Sequence, residues 1–207
     1  TTLGADNGIG AAACLAVLAD NSLVHGPIEV LLTIDEEAGM TGAFGLEPGL
    51  LEGEILLNTD SEQDGEVYMG CAGGIDANIR LAFEPTTVPA GYQALRLSVK
   101  GLRGGHSGVN IHQDRGNANK LLARLLQGAC EQLPLRLAHI EGGTLRNAIP
   151  REASALLLVP ENQVTRLQHL IAEHGQRLQT ELQEVERNLT IELQSSEPPI
   201  HCLDGDT

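Results

Sequence analysis

The hydrophobic pattern of this 207-residue chain changes its period once, near Gly74, and that change limits what the chain can fold into. Before it, apolar residues come in short continuous runs. Ile28 to Ile34 is a β-branched and leucine stretch, and Glu54 to Leu57 and Glu66 to Cys71 are two shorter ones. Such runs suit strands buried on both faces, as in a parallel sheet. Residues 7 to 20 are rich in Ala and Leu and read as a buried helix, with Asp6 or Asn7 as N-cap. Strand and helix in alternation predict α/β architecture: residues 1–74 as part of a doubly wound, mostly parallel-sheet domain.

After Gly74 the pattern alternates. Asp76 to Phe83 and Gln93 to Val99 have the two-residue period of half-exposed antiparallel strands. A Gly-rich loop follows from Gly101 to Gly108, then an amphipathic helix over 115–132. Strands are expected at 135–140, 153–159 and 189–193, with a long helix over 161–187. Two helices over an antiparallel sheet make a smaller α+β two-layer domain over 75–207.

Aromatic residues are only 2% of the chain and Trp is absent, so Leu, Ile, Val and Ala must fill the core. The net charge of −15, from 28 acidic and 13 basic residues, argues against nucleic acid or an anionic membrane surface as partner. No apolar run reaches the roughly 18 residues of a membrane span. Cys14, Cys71, Cys130 and Cys202 lie far apart without a CxxC spacing. They are expected to be free buried thiols in a reducing cytoplasm rather than zinc ligands. The chain opens with Thr1-Thr2-Leu3-Gly4, without Met, and reads as an internal segment of a longer protein.

Acidic residues gather where the apolar runs of the first part end. Asp6 lies in Gly4-Ala5-Asp6-Asn7-Gly8, Asp35-Glu36-Glu37 follows Ile34, and Asp60 follows Asn58-Thr59. In open α/β sheets sites form beyond the carboxyl ends of the strands. Carboxylates converging there repel one another unless cations are present, which points to a carboxylate-rich metal site. Of two adjacent glutamates on a turn, one can bind metal while the other faces substrate as a base. Each position also has a plain structural account: a helix N-cap for Asp6, a solvated turn for Glu36 and Glu37, a turn aspartate for Asp60. His106, in Gly104-Gly105-His106-Ser107-Gly108, sits in a loop whose glycines allow close backbone approach. Arg146 and Asn147, in the turn from Gly142 to Pro150, offer a guanidinium fork and an amide. Neither glycine-rich loop fits a nucleotide-binding pattern.

Taken in order, these five motifs resemble the dinuclear zinc aminopeptidase/carboxypeptidase clan. The match is closest in its bacterial aminoacyl-histidine dipeptidase (peptidase D) branch and runs over nearly the whole chain. The resemblance implies hydrolysis of dipeptides, Xaa-His and broader, by a water bridging two divalent metal ions, zinc in this clan. It implies that Asp6 bridges both metals, Glu37 ligates one and Asp60 the other, and Glu36 is the general base. It implies that His106 binds substrate and stabilises the transition state. Arg146 or Asn147 would hold the substrate's C-terminal carboxylate. The second domain would be a lid through which the protein forms a homodimer. The clan's upstream His-x-Asp motif and late His ligand are not among these residues, so the segment alone is expected to be inactive. A related N-acyl amino acid amidohydrolase and a non-catalytic dimerisation or binding module are the alternatives.

Overall fold

The computed structural model of the chain describes residues 6–60, 64–71 and 73–203. The chain falls into two compact units, Thr1–Cys71 and Ala72–Thr207.

In the first unit the helix read from the Ala- and Leu-rich segment is present as α1 (Gly8–Ala19), and a single short turn of helix, α2, follows at Thr41–Phe44. The strands expected at 28–34, 54–57 and 66–71 are not formed among the described residues. Ile55, Leu56 and Leu57 are each more than four-fifths exposed. A strand apolar on both faces needs a neighbouring strand on each side and a covering layer on each face, and the described residues of this unit supply neither. The strand expected at Asp76–Phe83 in the second unit is likewise an exposed chain without a ladder.

The second unit is built from strands β1 (Thr86–Thr87), β2 (Tyr92–Lys100), β3 (Gly105–His106), β4 (Arg136–Gly142), β5 (Ala148–Ile149), β6 (Ala153–Pro160), β7 (Thr190–Ser195) and β8 (His201–Cys202). Its helices are α3 (Ala118–Cys130) and α4 (Val164–Leu182). The main sheet is antiparallel with order β4-β6-β2-β7. β1 pairs with β8, and β3 with β5. The two-residue alternation of β2 sends Leu95, Leu97 and Val99 to one face, where they meet Ala155, Leu157 and Val159 of β6. Leu121, Leu122 and Leu125 of α3 and Leu167, Ile171 and Leu178 of α4 close over that face. Ala94, Leu156, Leu158 and Cys202 form a smaller cluster on the other face. This is the expected two-layer arrangement. The free thiols are not uniformly buried, however: Cys202 is, whereas Cys71 and Cys130 are exposed.

α3 starts where the Asn117 side chain accepts from Lys120 N, at 3.2 Å, satisfying one amide that a helix start leaves free. α4 stops at Leu182, five residues short of the expected end. The amides of Val185 and Glu186 both turn back to the Leu182 carbonyl, at 3.0 and 2.7 Å, and the chain leaves the helix axis there. The helices are joined on the outside by Arg124, whose Nη1 and Nη2 donate to Glu181 Oε1 and Oε2 at 2.9 and 2.6 Å.

Leu97 is fully buried at the centre of the sheet, so Leu97→Ala is expected to cost about 2–5 kcal/mol in urea denaturation. Hydrogen bonding to Arg124 holds the Glu181 carboxyl below its ordinary range. A carboxyl lowered in the folded state stabilises above its unfolded pKa, and that contribution is lost as the pH falls through the lowered value. The pair is exposed, so Glu181→Gln is expected to cost less than about 1 kcal/mol at neutral pH, with the difference from wild type disappearing in strong acid.

Candidate active-site loops

In the first unit, a single amide side chain organises the loops that carry two of the acidic positions. Asn7 Oδ1 caps α1 by accepting from Gly10 N at 2.9 Å, and Asn7 Nδ2 donates to the Thr59 carbonyl at 2.8 Å. Capping thus belongs to Asn7, and Asp6 is not used for it. The same bond draws the chain at Asp6 to the chain at Asp60. Asn58 Oδ1 accepts from Asp60 N at 2.8 Å and shapes that turn. Gly4, Ala5, Ser61 and Glu62, the outer parts of these two motifs, lie outside the described residues.

Glu36 and Glu37 stand on a turn closed by Asp35. The Asp35 carbonyl accepts from Ala38 N and Met40 N at 3.2 and 2.6 Å, and its Oδ2 accepts from Thr41 Oγ1 at 2.6 Å. Asp35 takes a left-handed conformation, φ 59°, which Asp tolerates better than most residues. Asp6, Glu36, Glu37 and Asp60 are all exposed. Their oxygens suit divalent cations in charge and donor type. Among the described residues, however, no three His, Cys, Asp or Glu side chains come together in a way that could hold a metal ion.

In the second unit the structure brings the remaining candidate residues together. β3 and β5 pair with Gly105 opposite Ile149 and His106 opposite Ala148, and Ser107 N donates to the Asn147 carbonyl at 2.7 Å. The glycine-rich loop and the Gly142–Pro150 turn, about 40 residues apart in sequence, are thereby one local structure. Arg146 and Asn147 lie immediately before β5, and all three side chains are on exposed residues. Arg146 Nη1 forms an ion pair with Asp76 Oδ2, so its guanidinium already engages a carboxylate.

The His106 ring has a defined hydrogen-bonding state. Gly108 N and Val109 N both donate to its Nδ1, at 3.0 and 3.1 Å. Nδ1 is therefore an acceptor, and the neutral ring carries its proton on Nε2. The backbone of His106 is held as firmly: its N–H donates to Asn110 Oδ1 at 2.8 Å and its carbonyl accepts from Asn110 N at 2.9 Å. Gly105, at φ 144°, leaves room for this arrangement, because a Cβ there would lie 2.7 Å from Asn110 Oδ1 and 2.5 Å from Arg115 Nη1.

Two supporting residues escape the sequence reading. Arg115 Nη1 donates to the Gly104 carbonyl at 2.5 Å, with its Nε and Nη2 both bonded to Gln113 Oε1. Glu186, 3% exposed, accepts from Arg103 N and Gly116 N at 2.8 Å each. It is 83 and 70 residues from those amides in sequence, and no local pattern marks it.

Residues 97–186 match the family described as Peptidase dimerisation domain. That segment takes in β3 to β6, α3 and α4. Beyond it, the chain is 57% identical over 195 residues to the Cytosol non-specific dipeptidase of Escherichia coli (strain K12), covering 94% of this chain and 40% of that protein. It is 30% identical over 181 residues to Uncharacterized protein YqjE of Bacillus subtilis (strain 168), covering 83% and 44%. The crystal structure of Aminoacylhistidine Dipeptidase from Vibrio alginolyticus matches with a TM-score of 0.75 and 52% identity, over 99% of this chain and 42% of that one. The resemblance to the dipeptidase branch is thus borne out. The chain spans about two fifths of the length of the relatives it matches.

At neutral pH, ¹⁵N NMR of His106 is expected to show an unprotonated Nδ1 and a protonated Nε2. The opposite tautomer would contradict the two amide contacts at Nδ1.

Proposed function

We propose that this chain forms part of a metal-dependent dipeptidase acting on Xaa-His and other dipeptides. The observation that carries the reading is the 57% identity to a cytosol non-specific dipeptidase, in a chain that keeps all five ordered motifs. On this reading residues 1–74 are part of a doubly wound catalytic domain and residues 75–207 a lid and dimerisation domain. Asp6, Glu37 and Asp60 would contribute to holding two divalent metal ions, zinc by resemblance, completed by ligands not among the described residues. When bound, such a pair of cations supplies Lewis-acid activation of water and charge neutralisation.

The chain's own residues would do the rest. Glu36 takes a proton from the attacking water and returns it to the leaving amine. His106, with its proton on Nε2, offers a donor to the oxygen on which negative charge develops. Arg146 presents its guanidinium to the substrate's C-terminal carboxylate, as its Nη1 already pairs with the Asp76 carboxylate. Asn147 adds an amide beside it. The name of the relative supports a cytoplasmic protein.

A homodimer through the lid is supported by the family of residues 97–186 and by β7, an edge strand whose Ile191 and Leu193 line a groove with α4. A module whose work is assembly alone is a second reading. A related N-acyl amino acid amidohydrolase is the other enzyme reading.

The test is hydrolysis of an Xaa-His dipeptide by the complete protein containing this chain, after chelation and after zinc is restored. Loss and recovery are expected. Glu36→Gln should keep the metal and lower kcat by roughly 10²-fold or more. Hydrolysis of N-acyl amino acids in place of dipeptides would select the amidohydrolase. Absence of bound metal in the complete protein would select the assembly module.

A further inference from the structure

We propose that Glu186 is a positioning residue for the reaction, and the proposal rests on the role given above to His106. Its carboxylate joins the two stems of the loop from Arg103 to Gly116 and so sets where His106 presents its Nε2 proton.

The loop is a compact surface excursion of the kind whose ends lie close together. At its base, one carboxylate spans the two stems: Glu186 Oε2 takes the amide of Arg103, entering the loop, and Oε1 takes the amide of Gly116, leaving it, each at 2.8 Å. Within the loop, Arg115 reaches back to Gly104, and Asn110 bonds both the amide and the carbonyl of His106. Arg115 also donates to Gln113 Oε1, and the Gln113 backbone amide donates to the Asn110 carbonyl at 3.0 Å, so neighbouring residues and hydrogen bonds link the stems held by Glu186 to the backbone of His106. The joint that brings Glu186 to the loop is itself tight. Gly101, at φ 79°, packs so closely on the 188 turn that a Cβ there would lie 2.1 Å from the Asn188 carbonyl oxygen.

Glu186 is chemically unusual for a residue that only fills space. A carboxylate is seldom buried, and burying one is costly unless hydrogen bonds meet its charge. Two charge-assisted bonds from backbone amides meet it here, one for each oxygen. No uncharged side chain of that size accepts at both oxygens. Glutamine offers one acceptor and turns its amide donors toward the other N–H, leaving a donor facing a donor in a buried site. The aliphatic part of the side chain and its packing are kept. Glu186→Gln therefore loosens the loop and leaves the helix-covered core in place.

The experiment has two readouts on the complete protein. In hydrogen exchange, Glu186→Gln is expected to speed exchange of the Arg103 and Gly116 amides and of the loop between them by about ten-fold, with β2 and β6 still protected. In dipeptide hydrolysis, kcat is expected to fall about 10- to 100-fold with KM little changed. In a His106→Ala background, Glu186→Gln should lower kcat no further, because its effect passes through His106. Glu186→Asp, which keeps charge and both acceptors but is one methylene shorter, should fall between wild type and the glutamine variant in both readouts.

Unchanged exchange in the loop would overturn the proposal whatever the activity. Multiplicative losses in the double variant would overturn it as well. Loss of protection across β2 and β6 in both Glu186 variants would make Glu186 a residue of the fold alone and also overturn it. If His106→Ala leaves kcat unchanged, the role of His106 falls, and the exchange result still decides whether Glu186 orders the loop.

Discussion

The second unit depends on the pairing of β2 with β6 and β7. β2, like β6, has a partner on each side, and its inward row of Leu95, Leu97 and Val99 is the floor on which α3 and α4 rest. Close packing of such a layer leaves little freedom in where its strands end. The chain that leaves β2 at Lys100 turns at Gly101 into the loop bearing His106, and the chain that enters β6 comes directly from the turn bearing Arg146 and Asn147. Rigid neighbours in the sheet thus deliver two separate loops to the same end of the layer, where β3 and β5 tie them together.

That delivery explains why the candidate substrate-facing residues sit on loops without being loosely held. The sheet fixes the stems, and polar side chains rather than apolar packing fix the tips. Asn110 holds the His106 backbone, two amides hold its ring, and Glu186 holds the stems. A loop made of glycines and polar residues has little surface to bury, so hydrogen bonds must set its shape. The cost of a buried carboxylate is accepted where a single side chain has to meet two backbone donors at once.

The first unit shows the opposite condition. Its apolar runs carry the signature of two-sided burial, yet Ile55 to Leu57 lie open and unladdered. Backbone groups of a central strand are satisfied only by other strands, and such a strand cannot form from its own residues. Local structure survives where it needs no distant partner. α1 forms with Asn7 as its cap, and the turn at Asp35 closes on Thr41. Longer connections are made by polar side chains: Glu29 accepts from the amides of Glu52 and Gly53, and the bond from Asn7 to Thr59 draws the chain at Asp6 to the chain at Asp60.

Residue periodicity by itself determined most of the second unit. The two-residue alternation in 93–99, the strand read at 153–159 and the helical stretches read over 115–132 and 161–187 correspond to elements that formed, whereas the alternation at 76–83 does not. They formed because each buries one face against the others. The ordered motifs likewise marked His106, Arg146 and Asn147 as residues of interest and pointed to the dipeptidase branch. Tertiary structure alone decided three things. It ended α4 at Leu182, where the amides of Val185 and Glu186 turn back to the Leu182 carbonyl. It tied Asn7, one of the two N-caps the sequence offered for α1, to the Thr59 carbonyl. It placed Glu186 under a loop 70 and 83 residues distant, a contact no local pattern encodes, because it depends on the sheet bringing β2 and β7 side by side.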